Sequence, residues 1–299
     1  MSAAVGTQAS TTASGITDAP KPRRFKGKEK RPGFLTYGLL IVFLVCSVYP
    51  LYWSVIMSTR TNADFGLDWP PLLPGGQFWK NLTTVLDSVP FWKALGNSVL
   101  ISTIITISVV FFSTLAGYAF AKLRFKGRNG LMVFVIATLA VPTQLGIIPL
   151  FMLMRTWGWT GHIGSVIVPM LVTAFGVFFM RQYLVDVIPD ELIEAARVDG
   201  ASMFKTFWHV GVPAARPAMA ILSLFTFMTA WTDFLWPLLV LNNTNPTLQT
   251  ALSQLQSAHY VDYSVVLTGA VISTIPLLVL FVLAGKQLIA GIMQGAVKG

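Results

Sequence analysis

The chain has 299 residues, of which 54% are hydrophobic and only 11% charged, and its mean hydropathy is +0.67. These values exclude a water-soluble domain of this length and put the chain in a bilayer. The formal charge of +9 could point to nucleic acid, but the basic residues follow membrane topology instead, and the single Cys46 allows neither an intrachain disulfide nor a cysteine metal cluster.

Residues 1–20 are rich in Ser, Thr, Ala and Gly, and residues 21–31 are strongly basic. Residues 1–32 therefore read as a disordered tail with an orienting collar, ahead of a membrane domain over 33–299. The apolar stretch that follows is longer than the core of a signal peptide and has no small-residue cleavage site after it, so it reads as an uncleaved anchor. Apolar runs able to cross about 30 Å of hydrocarbon lie near Leu35–Met57, Asn97–Ala121, Leu131–Leu153, Ile163–Gln182, Ala218–Leu241 and Val265–Ile289. They predict an all-α polytopic membrane protein with six transmembrane helices. Five of these spans contain proline, at Pro50, Pro142 and Pro149, Pro169, Pro237 and Pro276, which favours a bundle able to bend.

With the N-terminus inside, 17 of the 21 Lys and Arg residues fall on the inner side, so both termini are predicted to be cytoplasmic. The outer segment from Ser58 to Gly96 carries Trp69, Trp79 and Trp92, expected in an interfacial aromatic belt. Its prolines and Gly75-Gly76 predict an irregular or partly helical course. Ser and Thr residues in the second and third spans fit close helix packing, and Gln144 beside Pro142 is the pore-lining candidate among the polar residues there.

Asp233 is the only acidic residue inside a predicted span. A central aspartate costs about 2.5–3.5 kcal/mol to insert, so it should face the bundle interior or a watered cavity. Trp231, Thr232, Asp233 and Trp236 would form an aromatic and polar surface suited to a hydroxylated ligand. Equally, Asp233 could hydrogen-bond helix backbone freed by Pro237.

Between the fourth and fifth spans the segment 184–217 is polar, with five acidic residues against three basic ones. Pro189-Asp190-Glu191 opens a helix, Gly200 stops it, and Ser202 caps a second short helix expected to end at Pro213. Glu194 has no local role beyond an i,i+3 pair with Arg197, worth about 0.2–0.5 kcal/mol. Ala195 and Ala196 keep its face small.

The pattern Glu194-Ala195-Ala196, Gly200, Val210, Val212 and Pro213 resembles the cytoplasmic coupling loop of ATP-binding-cassette importer permeases. Asn97-Ser98, the run Ala116–Ala121 before Arg124–Arg128, Val141–Gln144 with Ile148-Pro149-Leu150, Asp233–Pro237 and the tail Gly295–Gly299 extend that resemblance over 33–299. Together they resemble the carbohydrate branch, close in type to the smaller permease of maltose transporters. Thr232 stands where that family often has Asn, and Val210 and Val212 where Ile and Leu are commoner.

The resemblance implies a permease subunit of the cell membrane of a prokaryote, with a coupling helix between spans four and five. Its implied partners are a second permease, two ATPase subunits that hold ATP and Mg, an external substrate-binding protein and membrane lipid. Glu194, Ala195, Ala196, Asp199, Gly200 and Pro213 would meet the ATPase, Gln294 and Lys298 would give a second contact, and Asp233, Trp236, Thr232 and Gln144 would line the path. The cargo would be a mono-, di- or oligosaccharide, with glycerol phosphate or a polyol as the alternative, since their carriers use similar permeases.

No Gly-x-x-x-x-Gly-Lys-Ser/Thr motif occurs in the sequence, so ATP hydrolysis is assigned to the partner. Neither a metal spacing nor a catalytic constellation is evident around His162, His209 or His259. A different class, an ion-coupled secondary transporter in which Asp233 titrates, is the alternative reading.

Overall fold

The computed structural model describes residues 33–69, 71–257 and 260–296, with side chains up to residue 283. The basic collar lies outside the described residues. Two compact units divide at Val48. In the first, residues 34–48 form the opening turns of helix α1 (Phe34–Ser58), whose apolar side chains there are largely exposed. The second, from Tyr49 on, contains the rest of α1 and every contact described below.

Two helices carry the packing. Helix α3 (Phe91–Lys122) has no internal proline and ends on a basic residue that suits the helix dipole. Its buried positions Ala94, Ser98, Ile101, Ile105, Val109, Ser113 and Gly117 recur at steps of three and four, one face of a helix. That face meets α7 (Ala174–Val187) most closely. A Cβ on Gly117 would stand 2.7 Å from Met180 Cβ and 2.8 Å from the Arg181 nitrogen, and one on Gly176 would strike Ser113 Oγ. Small residues thus set the approach of the two helices. The core at this crossing adds Leu184 of α7 and Ala218 and Leu222 of α10 (Val212–Thr232).

Five described helices are long and apolar enough to cross a membrane, and a sixth span arises if α4 (Arg128–Leu139) and the bent partner that follows count as one. The expectation of a continuous third span is corrected here. Helix α4 and the segment Thr143–Thr156, which contains α5 (Ile147–Thr156), meet at 90° across a 3-10 turn at Thr143–Gly146. Pro142 disfavours helical backbone at Val141, which accounts for the break. In the fourth span, α6 (Gly164–Ile167) runs on through a 3-10 turn at Val168–Met170 that contains Pro169, α7 begins after Thr173 turns extended, and Ser108 Oγ donates to the Leu171 carbonyl at this break at 2.9 Å.

The second span begins at Phe91, earlier than Asn97, and Asn97-Ser98 has another use. Asn97 Nδ2 donates to the Pro246 carbonyl at 2.9 Å, and Ser98 Oγ accepts from the Leu248 N–H at 2.8 Å, at the start of α12 (Leu248–Ser253). On the same side α2 (Phe78–Ser88) is tied down by Asn81, whose Nδ2 donates to the Ser58 and Arg60 carbonyls. The partly helical course expected there is observed, and Trp69, Trp79 and Trp92 are exposed. The last helix, α13 (Tyr263–Ala296), starts under Asp262, which accepts from the Ser264 and Val265 N–H groups.

Candidate functional site

The polar segment between spans four and five folds as two short helices with capping of the expected kind. Helix α8 (Asp190–Val198) starts after Pro189 with Asp190 and Glu191 in its first turn, where carboxylates favour the helix dipole. It ends in a Schellman motif. The Gly200 N–H donates to the Arg197 carbonyl at 3.0 Å and the Ala201 N–H to the Ala196 carbonyl at 2.9 Å, with Gly200 left-handed at φ 74°. Ser202 then caps α9 (Met203–Thr206) by accepting from the Lys205 N–H at 3.2 Å.

The expected stop at Pro213 does not occur. A π turn at Phe207–Gly211, with the Val212 N–H bonded to the Phe207 carbonyl, carries the chain into α10, so residues 203–232 run on as one span. Pro213 falls in the first turn of α10, where a missing N–H is tolerated. The π turn is packed from above by Tyr118 of α3, whose ring lies 5.4 Å from that of Phe207 and against Gly211.

Two links fix α8 to the bundle. Ile193 is buried in the main core. Lys122 Nζ, at the end of α3, donates to Asp190 Oδ1 at 2.8 Å, with Lys122 5% and Asp190 73% exposed. The hydrogen bond and charge of Lys122 hold the Asp190 carboxyl below its ordinary pKa. Its local sequence predicts only a role at the helix start for Asp190, because no local pattern marks a partner so distant in the chain.

The opposite side of this element faces outward. Glu194, Ala195, Asp199 and Gly200 are exposed, as is Pro213, while Ala196 is half-buried. Leu192, Val198, Phe204 and Trp208 add exposed apolar surface, Val198 being 88% exposed. Among the described residues Glu194 forms no ion pair, with Arg197 or any other base. Lys298 lies outside the described residues, and of Gln294 only the helical backbone is described.

The candidates for a substrate path separate into two groups. Gln144 is exposed in the 3-10 turn at the 90° bend, Thr232 is exposed at the end of α10, and Asp233 is half-buried. Asp233 was expected inside a continuous span but instead occupies a break, extended at φ −65°, ψ 123°, between α10 and α11 (Leu235–Val240). Pro237 requires this, since a helix carried through would set its ring against the Asp233 carbonyl.

Trp231 and Trp236, by contrast, are 1% and 4% exposed. Trp231 Nε1 donates to the Ser273 carbonyl with its ring stacked on Phe227, and Trp236 Nε1 donates to the Ser165 carbonyl at 3.1 Å. The expected aromatic platform beside Asp233 is therefore corrected: both indoles are pieces of the helix packing, because a buried indole needs an acceptor for its N–H.

Known proteins share this architecture. The chain is 32% identical over 269 residues to the arabinooligosaccharides transport system permease protein AraQ of Halalkalibacterium halodurans, covering 89% of this chain and 96% of that protein. It is 32% identical to the lactose transport system permease protein LacG of Rhizobium radiobacter, over 91% of this chain and 98% of the relative. The sn-glycerol-3-phosphate transport system permease protein UgpE of Pectobacterium atrosepticum is 27% identical, with 89% and 98% covered. A chain of the crystal structure of a bacterial ABC transporter involved in the import of the acidic polysaccharide alginate superposes with a TM-score of 0.74 at 25% identity, covering 84% of this chain and 94% of that one. Residues 110–291, which include α8, α9 and Asp233, match the family described as the binding-protein-dependent transport system inner membrane component, and the chain belongs to that family.

Proposed function

We propose that the chain is one permease subunit of an ATP-driven carbohydrate importer. It would form the translocation path with a second permease and couple through segment 184–217 to two ATPase subunits, which hold ATP and Mg. The observation that carries the coupling role is the form of α8: locked to the bundle by Ile193 and Lys122, it leaves Glu194 exposed without an internal partner among the described residues. Such an element is suited to transmit displacement because Lys122 ties it to α3 and the chain runs from it through α9 and the π turn into α10. Its acidic character suits a basic docking cleft, and the positive-inside distribution supports a cytoplasmic position.

The cargo reading rests on the relatives, which carry arabinooligosaccharides, lactose and sn-glycerol-3-phosphate by name. A mono-, di- or oligosaccharide delivered by an external binding protein is the class that fits, and a solved relative of the same fold is a complex with a periplasmic protein holding an alginate pentasaccharide. Gln144, Thr232 and Asp233 are the polar groups offered to that cargo at helix breaks. The ion-coupled alternative built on Asp233 has no support from family membership.

The test is to purify the N-terminally tagged chain in mild detergent from its native membrane and identify what accompanies it. Co-purification of an ATPase and a second permease is the expected result. Transport by the chain alone, surviving loss of the ATPase and collapsing with the proton gradient, would overturn it.

A further inference from the structure

Four basic residues fall within seven positions at the junction of α3 and α4, at Lys122, Arg124, Lys126 and Arg128. Two of them have partners inside the protein. Lys122 binds Asp190, and Arg128 Nη1 donates to the Leu123 carbonyl at 3.3 Å. Arg124 and Lys126 are exposed and form no ion pair among the described residues. The chain is gathered here by a tight turn, with the Arg128 N–H donating to the Phe125 carbonyl at 3.4 Å and Gly127 at φ 82°, ψ 0°, the third-position geometry of a type II turn.

The turn borders an open cleft of about 340 Å³ lined by Arg124, Phe125, Gly127, Arg128, Asn129 and Gly130, with Lys126 exposed in the same turn beside it. Phe125, in its lining, is 40% exposed, and farther along, in α4, Val133 and Phe134 are 66% and 67% exposed. Basic groups therefore lead into an apolar helix face, in α4, which has the length and composition of a membrane span together with the segment bent 90° from it. A phosphate with acyl chains beneath it matches that order of chemistry; a soluble acidic peptide would satisfy the charges and leave the apolar face uncovered.

We infer that the Arg124–Arg128 turn is a binding site for an anionic phospholipid, its headgroup phosphate held by Arg124 and Lys126 and an acyl chain lying along Val133 and Phe134. The Lys122–Asp190 bond connects this turn to α8, so an occupied site would stiffen the base of the coupling element. Neither the nature of the cargo nor the identity of the ATPase enters into this inference.

The test uses the assembled importer in nanodiscs of neutral phosphatidylcholine alone, or of phosphatidylcholine and phosphatidylglycerol in equal parts. Wild type and an Arg124→Gln, Lys126→Gln double variant are compared by native mass spectrometry for retained lipid and by transport-linked ATP hydrolysis. The variant should lose affinity for phosphatidylglycerol by about tenfold or more, and with it any phosphatidylglycerol-dependent increment in hydrolysis, while matching wild type in phosphatidylcholine. Equal phosphatidylglycerol retention in both proteins would overturn the site. Reduced hydrolysis by the variant in pure phosphatidylcholine would overturn it differently, by showing that the two residues contact a protein subunit. An increment reproduced in phosphatidylcholine by inorganic phosphate would assign the site to a free anion.

Discussion

Gly117 and Gly176 control how closely α3 and α7 pack, and neither acts through backbone freedom. Adding a methyl at Gly117 brings it against Met180 and the Arg181 backbone, atoms that cannot step aside. Gly117→Ala should cost about 1–3 kcal/mol, seen as a lower melting temperature of the detergent-solubilised protein, whereas Gly96→Ala, inside the same helix with nothing within 4 Å, should hold or raise it, by up to about 1 kcal/mol. Gly200 is different, since its left-handed conformation is the constraint, and Gly200→Ala should lose about 1–2 kcal/mol from the end of α8. The Lys122–Asp190 bond predicts a pH effect. Because the folded pKa of Asp190 is depressed, the bond stabilises fully above the ordinary carboxylate pKa and is lost as pH falls through the lower folded value. Asp190 is largely exposed, so Asp190→Asn should change stability by well under about 1 kcal/mol at neutral pH and flatten the acid limb of a melting-temperature profile.

At the level of helices, what could be read in advance was what is encoded locally. Ser202 and Gly200 declare themselves because a cap and a left-handed stop depend on a few neighbouring residues. The π turn before Pro213 is not of this kind: it arises where Phe207 and Gly211 pack under Tyr118, a residue far away in sequence. The buried face of α3 is equally hidden, because its outward face, with Ile104, Ile107 and Phe111, is apolar too and no polar stripe marks the difference. Bends followed the prolines only in part. Pro142 and Pro237 stand at breaks, while Pro50, Pro217 and Pro276 lie within helices. Trp236 illustrates the limit for the site: its motif was visible, but whether the indole faced a ligand or Ser165 depended on packing between distant helices. Trp236→Phe should therefore cost about 1 kcal/mol through the orphaned Ser165 carbonyl, read from melting, even though an aromatic face is preserved.

For the whole molecule, the decisive feature is that an exposed acidic element is tied to the long apolar helices by buried Ile193 and the Lys122–Asp190 bond. Asp233, at the opposite end of α10 from the π turn, lies where movement of that helix would be felt, and Asp233→Asn should alter transport without releasing the ATPase. Glu194→Ala should leave membrane insertion intact and reduce both transport and ATPase association. The most direct test of coupling is cross-linking in the assembled complex. With Cys46 replaced by Ser, a cysteine at the 88% exposed Val198 is labelled with a short thiol-reactive photo-cross-linker, whose photoactivated end inserts into any neighbouring protein bond, and a cysteine replacing Trp69 serves as the control. A cross-link to the ATPase from Val198→Cys and none from Trp69→Cys is the predicted result; no ATPase adduct at Val198, in a complex that still transports, would contradict the coupling role of this segment.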